Sequence, residues 1–506
     1  MAMAVNEQGP GPVSTGPDER HSLRKNAVGL PGLIAQSLGV TAPEISGVLI
    51  ASSVAAYAGL ITPLAFVVAG IGAIGLGLVY SRFARYVPHA GGTYAIVRAG
   101  LGPDLGFMAG WILLAVGIIF VAGLVIASAF LLQLFGSPAV KNISFLGKQW
   151  TGTAIFLGAL VLLISFLGIQ ISAKVLLTLT AVGVALLAVF DVVILAKGGA
   201  HGLAWSAFNP ANISKVGVST FFIGVGLAMT GFSGFETAVF LSEEANAPRK
   251  QVPKAVVGAV LAAVVFFAVT TFAIVTGYGA AKAGPTWAGD GPFTVISLSA
   301  KFLKVGYGQL LLLILAISGA VSALGTANFT TRVAYSWGRE GYLPAAFGRT
   351  HPKFRTPSVA NGALAVTTLG IILAGAAWKG QTLDLNTFFL AGFVVFSWLL
   401  LCGAAGILPV YALVGLSGFA HSLRNHGTVV DIVIAPLLAV AVVATAEFTQ
   451  FYHQTGANKI APLVMVAWVV LGVIVRLATR SRVRAAEAQF DAAPAEAGIQ
   501  SADMAG

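Results

Sequence analysis

Long apolar runs, almost free of charge, recur along most of this chain. Each is near or above the roughly 20 residues that an α-helix needs to cross the hydrocarbon core of a bilayer. Charged residues make up only 9% of the 506 residues, whereas a soluble domain carries about 25%. The sequence therefore predicts an all-α polytopic membrane protein. About twelve transmembrane helices are expected, at 32–58, 62–80, 105–134, 151–170, 175–196, 217–241, 255–278, 306–331, 358–377, 385–410, 429–448 and 460–476.

The basic residues support this number of spans. With twelve spans and a cytoplasmic N-terminus, every arginine falls on the cytoplasmic side and the outer side holds lysines only. The positive-inside rule predicts this asymmetry. We therefore expect a multi-pass protein of the cell membrane with both termini cytoplasmic, and disordered cytoplasmic tails at 1–27 and 481–506. Because the net charge of +11 follows the membrane topology, it does not indicate a nucleic-acid partner.

The first span is interrupted within residues 35–46. Gly39 loosens the helical backbone there, and Pro43 removes a hydrogen-bond donor. Thr41, followed by Pro43 and Glu44, reads as a capping box and predicts that the helix restarts. Non-helical backbone at membrane depth occurs where protein buries it or where it lines a watery cavity. Taken alone, the interruption indicates either a substrate site or a proline kink without a ligand.

The sixth span carries a second interruption of the same kind. Gly231 and Gly234 weaken the helix, and Ser233 with Glu236 repeats the Ser/Thr-x-x-Glu pattern of a restart. Paired interruptions at corresponding positions of two halves indicate a transporter binding site. The restarted half-helices would offer N–H groups to a carboxylate, and the ended ones would offer carbonyls to an ammonium. The two breaks together therefore favour a substrate site suited to a zwitterion.

The first, fifth and sixth predicted spans each contain one acid, and ionisable residues are costly at membrane depth. Glu236 either takes up a coupling proton or gates the site, or it only caps the restarted helix. Glu44 either faces the site and favours a cationic or amine substrate, or it too only caps. Asp191, late in the fifth span, is expected to reach the outer interface.

Three stretches resemble the amino acid–polyamine–organocation permeases. The first is 85–94 (RYVPHAGGTY) with 102–111 (GPDLGFMAGW); the second is 234–236 (GFE) with 243–253 (EEANAPRKQVP); the third is 332–335 (RVAY), 339–344 (REGYLP) and 351–357 (HPKFRTP). Together they cover the chain from about residue 30 to 420. Some proton-coupled members of this family place a lysine in the middle of the fifth span, where this chain has Val182 and Gly183. Sodium-coupled members use hydroxyls of the eighth span, for which Thr326, Thr330 and Thr331 are candidates.

The resemblance implies a five-plus-five inverted repeat with broken first and sixth helices and alternating access. It places a ten-helix core at 28–415, with repeats at about 28–200 and 215–415, and two additional transmembrane helices at 416–480. The residues that it assigns to the substrate site are Ser37, Gly39, Val40, Thr41, Ala42, Pro43, Thr230, Phe232, Ser233, Gly234 and Phe235, with Glu236 and Glu44 in coupling or gating.

The function that we predict is secondary active transport of amino acids, coupled to protons. The alternatives are a polyamine, amine or other organocation permease, an amino acid exchanger and, less favoured, a channel. An enzyme would need a catalytic constellation, and the sequence presents no nucleophile elbow, no metal-ligand cluster and no intramembrane histidine. We therefore expect no catalytic residues, no metal and no cofactor, and the partners are an amino acid or amine, H⁺ and the lipid bilayer.

Overall fold

The computed structural model describes residues 22–135, 149–378, 390–424 and 459–492, and a few positions between 437 and 444. These residues form helices joined by short turns, and they contain no β-structure beyond two isolated bridges. The α-helices are α1 Leu30–Thr41, α2 Pro43–Ile45, α3 Ala51–Ala58, α4 Thr62–Tyr86, α5 Thr93–Leu101, α6 Pro103–Leu134, α7 Gln149–Leu167, α8 Ile169–Ala196, α9 Ile213–Val216, α10 Val218–Gly231, α11 Pro248–Tyr278, α12 Ala283–Asp290, α13 Thr294–Phe302, α14 Val305–Arg339, α15 Ser358–Ala377, α16 Leu390–Arg424 and α17 Ile460–Ala492.

The described part of the chain contains nine helices that are long and apolar enough to cross a membrane, or ten if a bent pair counts as one span. Two of the predicted spans lie within one of the nine, the 57-residue stretch Leu30–Tyr86. The predicted span at 429–448 lies almost wholly outside the described residues. The chain is thus a helical multi-pass membrane protein, while the number twelve, the inverted repeat and the division at residue 415 stay predictions.

The first predicted break is present, but its chemistry differs from the prediction. Helix α1 ends at Thr41, Ala42 adopts the left-handed conformation with φ 45° and ψ 65°, and α2 begins at Pro43. Thr41 does not cap α2, so the predicted capping box is wrong. The Thr41 residue still belongs to α1, and its hydroxyl donates to the Ser37 carbonyl at 2.9 Å, as helical threonines commonly do. A π-helical turn at Ser46–Ile50 then leads into α3.

The second predicted break is also present. Helix α10 ends at Gly231, residues 232–236 form turns, and a 3₁₀ segment runs over Thr237–Glu244. Ser233 does not cap this segment, because Glu236 stands at the cap position. The predicted cap is therefore wrong here as well, although the loss of α-helical structure lies where the glycines indicate.

The two broken segments run antiparallel through the interior. Near one end, the Asn246 amide donates to the Val28 carbonyl at 3.0 Å. Further along, the Ala238 amide donates to the Ser37 hydroxyl at 3.1 Å. Residue numbers rise along α1 as they fall along the partner segment, which fixes the opposite directions. Each break therefore lies beside the other.

Asp191 differs from its prediction. Its side chain is 2% exposed rather than at an interface. It lies on the face of α8 that is turned toward α11, where the Thr270 hydroxyl donates to its carboxylate at 2.6 Å. Asp191 thus has a hydroxyl partner inside the helix bundle and does not reach the outer interface.

Candidate functional site

A cavity lies between the two breaks and is also bounded by α6, α14 and α16. It encloses about 60 Å³, which is room for roughly four to six water molecules. Its walls are mostly apolar, with several hydroxyls and one carboxylate, that of Glu236. The lining residues are Val40, Thr41, Ala42, Ile45, Ser46, Ile50, Val116, Phe120, Gly123, Leu124, Thr230, Ser233, Gly234, Glu236, Thr237, Ser322, Thr326, Phe329, Phe396, Leu400 and Ile407.

The residues predicted for the site divide into two groups. One group lines the cavity and consists of Val40, Thr41, Ala42, Thr230, Ser233, Gly234 and Glu236. The other group lies near the breaks but outside the cavity wall and consists of Ser37, Gly39, Pro43, Phe232, Phe235 and Glu44.

In the first break, the residues outside the wall serve helix packing. Ser37 accepts the Ala238 amide and so joins α1 to the 3₁₀ segment. Gly39 faces α8, where an added Cβ would lie 2.7 Å from Leu176 Cδ2. Pro43 opens α2 and has no N–H, so the Gly39 carbonyl loses its helical partner.

In the second break, the two phenylalanines turn away from the cavity. The ring of Phe232 packs edge-on against Phe267, with ring centroids 4.9 Å apart. The ring of Phe235 lies between Tyr80 and Tyr411, with its centroid 6.0 Å from each of theirs. Both phenylalanines are fully buried, so they hold the break against its neighbours.

Glu236 is fastened to the backbone of its own break by a tyrosine of α16. The Tyr411 hydroxyl donates to Glu236 Oε2 at 2.9 Å. The Gly234 amide lies 3.2 Å from the same oxygen and 3.2 Å from the Tyr411 hydroxyl. Ser233 Oγ lies 3.3 Å from that hydroxyl. A carboxylate, a phenol and a backbone N–H thus form one buried cluster at the cavity wall.

Glu44 points to the opposite side of the first break. The Ser318 hydroxyl of α14 donates to Glu44 Oε2 at 2.7 Å. Its other carboxylate oxygen lies against Gly183 of α8, so closely that any side chain at Gly183 would collide with it. Glu44 is therefore enclosed between α2, α8 and α14, away from the cavity.

Neutral amides lock α1 to its neighbours. The Gln36 side chain donates to the Gly325 carbonyl at 2.7 Å and accepts from the Asn328 amide at 3.1 Å. The Asn328 amide also donates to the Ser172 hydroxyl at 2.7 Å. These bonds join α1, α8 and α14 on the N-terminal side of the first break.

Ion pairs hold the far end of the second broken segment. Glu244 and Arg332 form a bidentate pair with distances of 2.5 and 3.0 Å, and both side chains are buried. The adjacent Glu243 pairs with Arg339 at 2.9 Å. Arg332 and Arg339 thus connect the second broken segment to the end of α14.

A second charged cluster lies at the same end, beyond the spans. Glu340 accepts the Tyr94 hydroxyl and lies 3.8 Å from Arg98 and 3.5 Å from His89. Burial raises the pKa of Glu340 to about 7, although the Tyr94 and Arg98 contacts oppose the shift. Burial also lowers the pKa of His89 to about 4. The cluster fastens the turn after α4 and the helix α5 to α14.

Sequence reasoning missed the walls that α6, α14 and α16 contribute. Their lining residues recur at helical spacing: Val116, Phe120, Gly123 and Leu124; Ser322, Thr326 and Phe329; Phe396, Leu400 and Ile407. Because these helices are apolar on every side, the spacing gives no contrast that would mark the cavity face. Tyr411 follows Ile407 by one turn in an apolar run, and that lone polar group was the one available signal.

The hydroxyls proposed for an ion site on α14 are mostly engaged within the helix. Thr330 donates to the Thr326 carbonyl at 2.7 Å, and Thr331 donates to the Ala327 carbonyl at 2.8 Å. Only Thr326 lines the cavity. Within the described ranges, no three His, Cys, Asp or Glu side chains come together as a metal site requires.

Comparison with known proteins gives one family match. The family model described as amino acid permease matches residues 30–477. The branched-chain amino acid permease BcaP of Bacillus subtilis is 27% identical, over 64% of this chain and 70% of that protein. The glutamate/serine transporter AimA of the same species is 24% identical, over 56% of this chain and 53% of that protein. Cationic amino acid transporter 4 of Mus musculus is 25% identical, over 67% and 53% respectively.

Proposed function

The chain belongs to the amino acid permease family, and from that premise we propose that it is a secondary active transporter of amino acids. It carries them across the cell membrane by alternating access, is coupled to protons, and has both termini in the cytoplasm. The cavity between the two breaks is its binding site. The observation that carries the proposal is the joining of two interrupted helices around one cavity with a carboxylate in its wall.

The cavity wall favours a neutral amino acid with an aliphatic side chain. Ten of the 21 lining residues are Val, Ile, Leu or Phe, whose side chains offer no partner to a second charge on the substrate. Most of the polar lining residues belong to the two broken segments, where a zwitterionic head group would bind. Glu44 points away from the cavity and so does not select a cation. That one relative is named a branched-chain amino acid permease agrees with this substrate class.

The Glu244–Arg332 and Glu243–Arg339 pairs close the path between the cavity and one side of the membrane. The arginine distribution predicts that this side is the cytoplasm. Both pairs connect the second broken segment to α14. Rocking that segment away from α14 would separate the pairs and open the cavity toward the cytoplasm, as alternating access requires.

The test is uptake by purified protein in liposomes. Labelled L-leucine, L-lysine and L-glutamate would be offered under an imposed proton gradient and, separately, under a sodium gradient. We expect saturable leucine uptake that the proton gradient drives and that other aliphatic amino acids inhibit. No saturable uptake of any amino acid under either gradient would overturn the proposal.

The carboxylate in the cavity wall favours a second candidate, a permease for amines or polyamines. An ammonium group would pair with Glu236 directly. Putrescine and spermidine in the same assay decide the matter: uptake of these amines without uptake of leucine would replace the first candidate by the second. Uptake only when substrate is loaded on both sides of the membrane would indicate an exchanger.

A further inference from the structure

The backbone N–H that the second break offers at the cavity already has an acceptor. The Gly234 amide is 3.2 Å from Glu236 Oε2, and the Tyr411 hydroxyl donates to the same oxygen at 2.9 Å. We propose that Glu236 competes with the substrate carboxylate for the Gly234 N–H, so that a proton must bind Glu236 before the substrate binds. Tyr411 is the positioning residue of this competition. The inference rests on the proposed function and adds to it an order of binding.

The hydrogen-bond inventory of Tyr411 fits this role. A phenol has one donor and two acceptor positions. Its donor goes to the carboxylate at 2.9 Å, and its oxygen accepts from the Gly234 amide and the Ser233 hydroxyl at 3.2 and 3.3 Å. Every position is occupied, and the hydroxyl reaches the break from another helix, α16. Tyr411 therefore fixes the direction of the Glu236 carboxylate from a helix that is not part of the break.

The Gly234 backbone fixes the other side of the contact. Gly234 has φ 106°, a conformation that side chains rarely adopt. A Cβ there would collide with Val40 and lie 3.0 Å from the Thr41 amide. The N–H direction is thus set by backbone conformation and by close contact with the first break. Gly234 lines the cavity, so a substrate carboxylate bound there would compete for the same N–H.

Protonation of Glu236 removes the competition. Two carboxylates at one donor repel each other, and a charged acceptor binds an N–H about twice as strongly as a neutral one. When solvent supplies a proton to Glu236, its negative charge is lost and the N–H becomes available to the substrate. The titratable groups that face Glu236 are Tyr411 from α16 and Tyr80 from α4. Both are tyrosines, whose ordinary pKa near 10 keeps them neutral at physiological pH.

The experiment is equilibrium binding of L-leucine to the purified full-length protein between pH 5 and pH 8.5. If one proton binds with each substrate, the wild-type affinity should rise by up to about tenfold per unit decrease in pH. Glu236→Gln should bind at every pH with about the affinity of the wild type at pH 5, and should lose proton-driven accumulation in liposomes. Tyr411→Phe removes the donor that stabilises the charged form of Glu236 and also removes a second acceptor of the Gly234 N–H, so leucine should bind about tenfold more tightly at pH 8.5.

Two variants control for the loss of a buried acid and of a tyrosine hydroxyl elsewhere. Asp191→Asn alters an acid between α8 and α11, and Tyr307→Phe removes a hydroxyl that donates to the Leu186 carbonyl. Both should keep the wild-type pH profile. Size-exclusion chromatography and thermal unfolding check that every variant is folded.

Each remaining outcome decides a different question. Loss of leucine binding in folded Glu236→Gln at every pH would make Glu236 the anchor of the substrate ammonium and would overturn the inference. A wild-type affinity independent of pH would overturn it as well. Both outcomes leave the proposed function intact, because the wild type still binds. Absence of binding and uptake of every amino acid by the wild type would instead remove the proposed function.

Discussion

The two breaks use nearly the same residues and direct their acids in opposite ways. Each has a glycine, a hydroxyl residue and a glutamate within six positions. Glu44 of the first break lies between α8 and α14, where Ser318 is its donor. Glu236 of the second break lies at the cavity wall, where Tyr411 is its donor. A buried glutamate beside an interrupted helix therefore does not by itself identify a residue that meets the substrate.

Backbone geometry explains the difference. The first break is a single left-handed residue, Ala42, after which α2 begins at once with Pro43. Glu44 therefore lies in the first turn of a helix and points sideways into the bundle. The second break spans residues 232–236, contains Gly234 at φ 106° and continues as a 3₁₀ segment. This longer irregular stretch turns Glu236 back over its own amides, toward the cavity.

The largest predicted effect concerns how the two segments are anchored. The first is held by neutral amides around Gln36, and the second by the buried Glu244–Arg332 pair. Arg332→Met should lower the free energy of unfolding by ~3–5 kcal/mol, because it leaves a buried carboxylate without its partner. Thermal unfolding in detergent would measure the loss.

The controls for this prediction alter the neighbouring ion pair and both partners of the buried one. Arg339→Met removes the partly exposed pair with Glu243 and should cost less than ~1 kcal/mol. The double variant Arg332→Met with Glu244→Gln should recover part of the loss, since it removes both charges. A double variant no more stable than Arg332→Met alone would contradict the anchoring role of the pair.

The next prediction concerns Glu340, which extends the comparison to a buried acid outside the spans. Its pKa is raised from 4.5 to about 7 by burial. The folded protein therefore favours the neutral form of Glu340. The stability that this preference contributes is complete below pH 4.5 and is lost as the pH rises through 7. The contribution amounts to ~3 kcal/mol. The stability of the wild type relative to Glu340→Gln should fall by about that amount from pH 4.5 to 8.

His89 acts in the opposite direction and separates the two effects. Its pKa is lowered from 6.5 to about 4, so its contribution is present above pH 6.5 and is lost as pH falls through 4. His89→Gln should remove this opposing contribution from unfolding curves recorded at several pH values. A pH dependence that is the same in the wild type and in Glu340→Gln would show that Glu340 ionises freely in the folded protein.

The sequence was sufficient to locate the breaks and most spans. Apolar runs and the Gly/Pro positions depend only on local backbone chemistry, so Gly231 and Pro43 indicate the ends of α10 and α1 correctly. The capping at Thr41 and Ser233 was wrong because each hydroxyl found another partner, the Ser37 carbonyl and the Tyr411 hydroxyl. The partner of Thr41 is only four residues away, whereas the partner of Ser233 is 178 residues away, so only the second partner lies beyond what local sequence can indicate.

The directions of the buried acids could not be read from the sequence. Asp191 meets Thr270, and Glu44 meets Ser318, across 79 and 274 residues. In a helix of a soluble protein, an apolar stripe would show which face lies inside. Here the faces that contact lipid and the faces that pack in the core are both apolar, so no such stripe appears. The cavity wall from α6 and α16 is hidden for the same reason.

A third prediction compares glycines within the breaks. Gly234→Ala should cost ~1–3 kcal/mol, because φ 106° is strained for alanine and the new methyl collides with Val40. We also expect loss of leucine uptake, since this contact joins the two breaks beside the cavity. Gly231→Ala is the matched control, as its nearest neighbour, Phe66, would lie 3.5 Å away. Equal uptake by the two variants would show that the contact does not matter for transport.

The smallest predicted effect tests the first break's acid directly. Glu44 does not line the cavity, so Glu44→Gln should change the preference for leucine over lysine by less than about twofold, well under the tenfold that 1.4 kcal/mol produces. The glutamine oxygen can still accept from Ser318, so folding should be retained. Competition of unlabelled lysine against labelled leucine measures the preference. If Glu44→Gln weakened lysine far more than leucine, Glu44 would have to reach the substrate in another conformation of the transport cycle, and the contrast between the two breaks would not hold throughout that cycle.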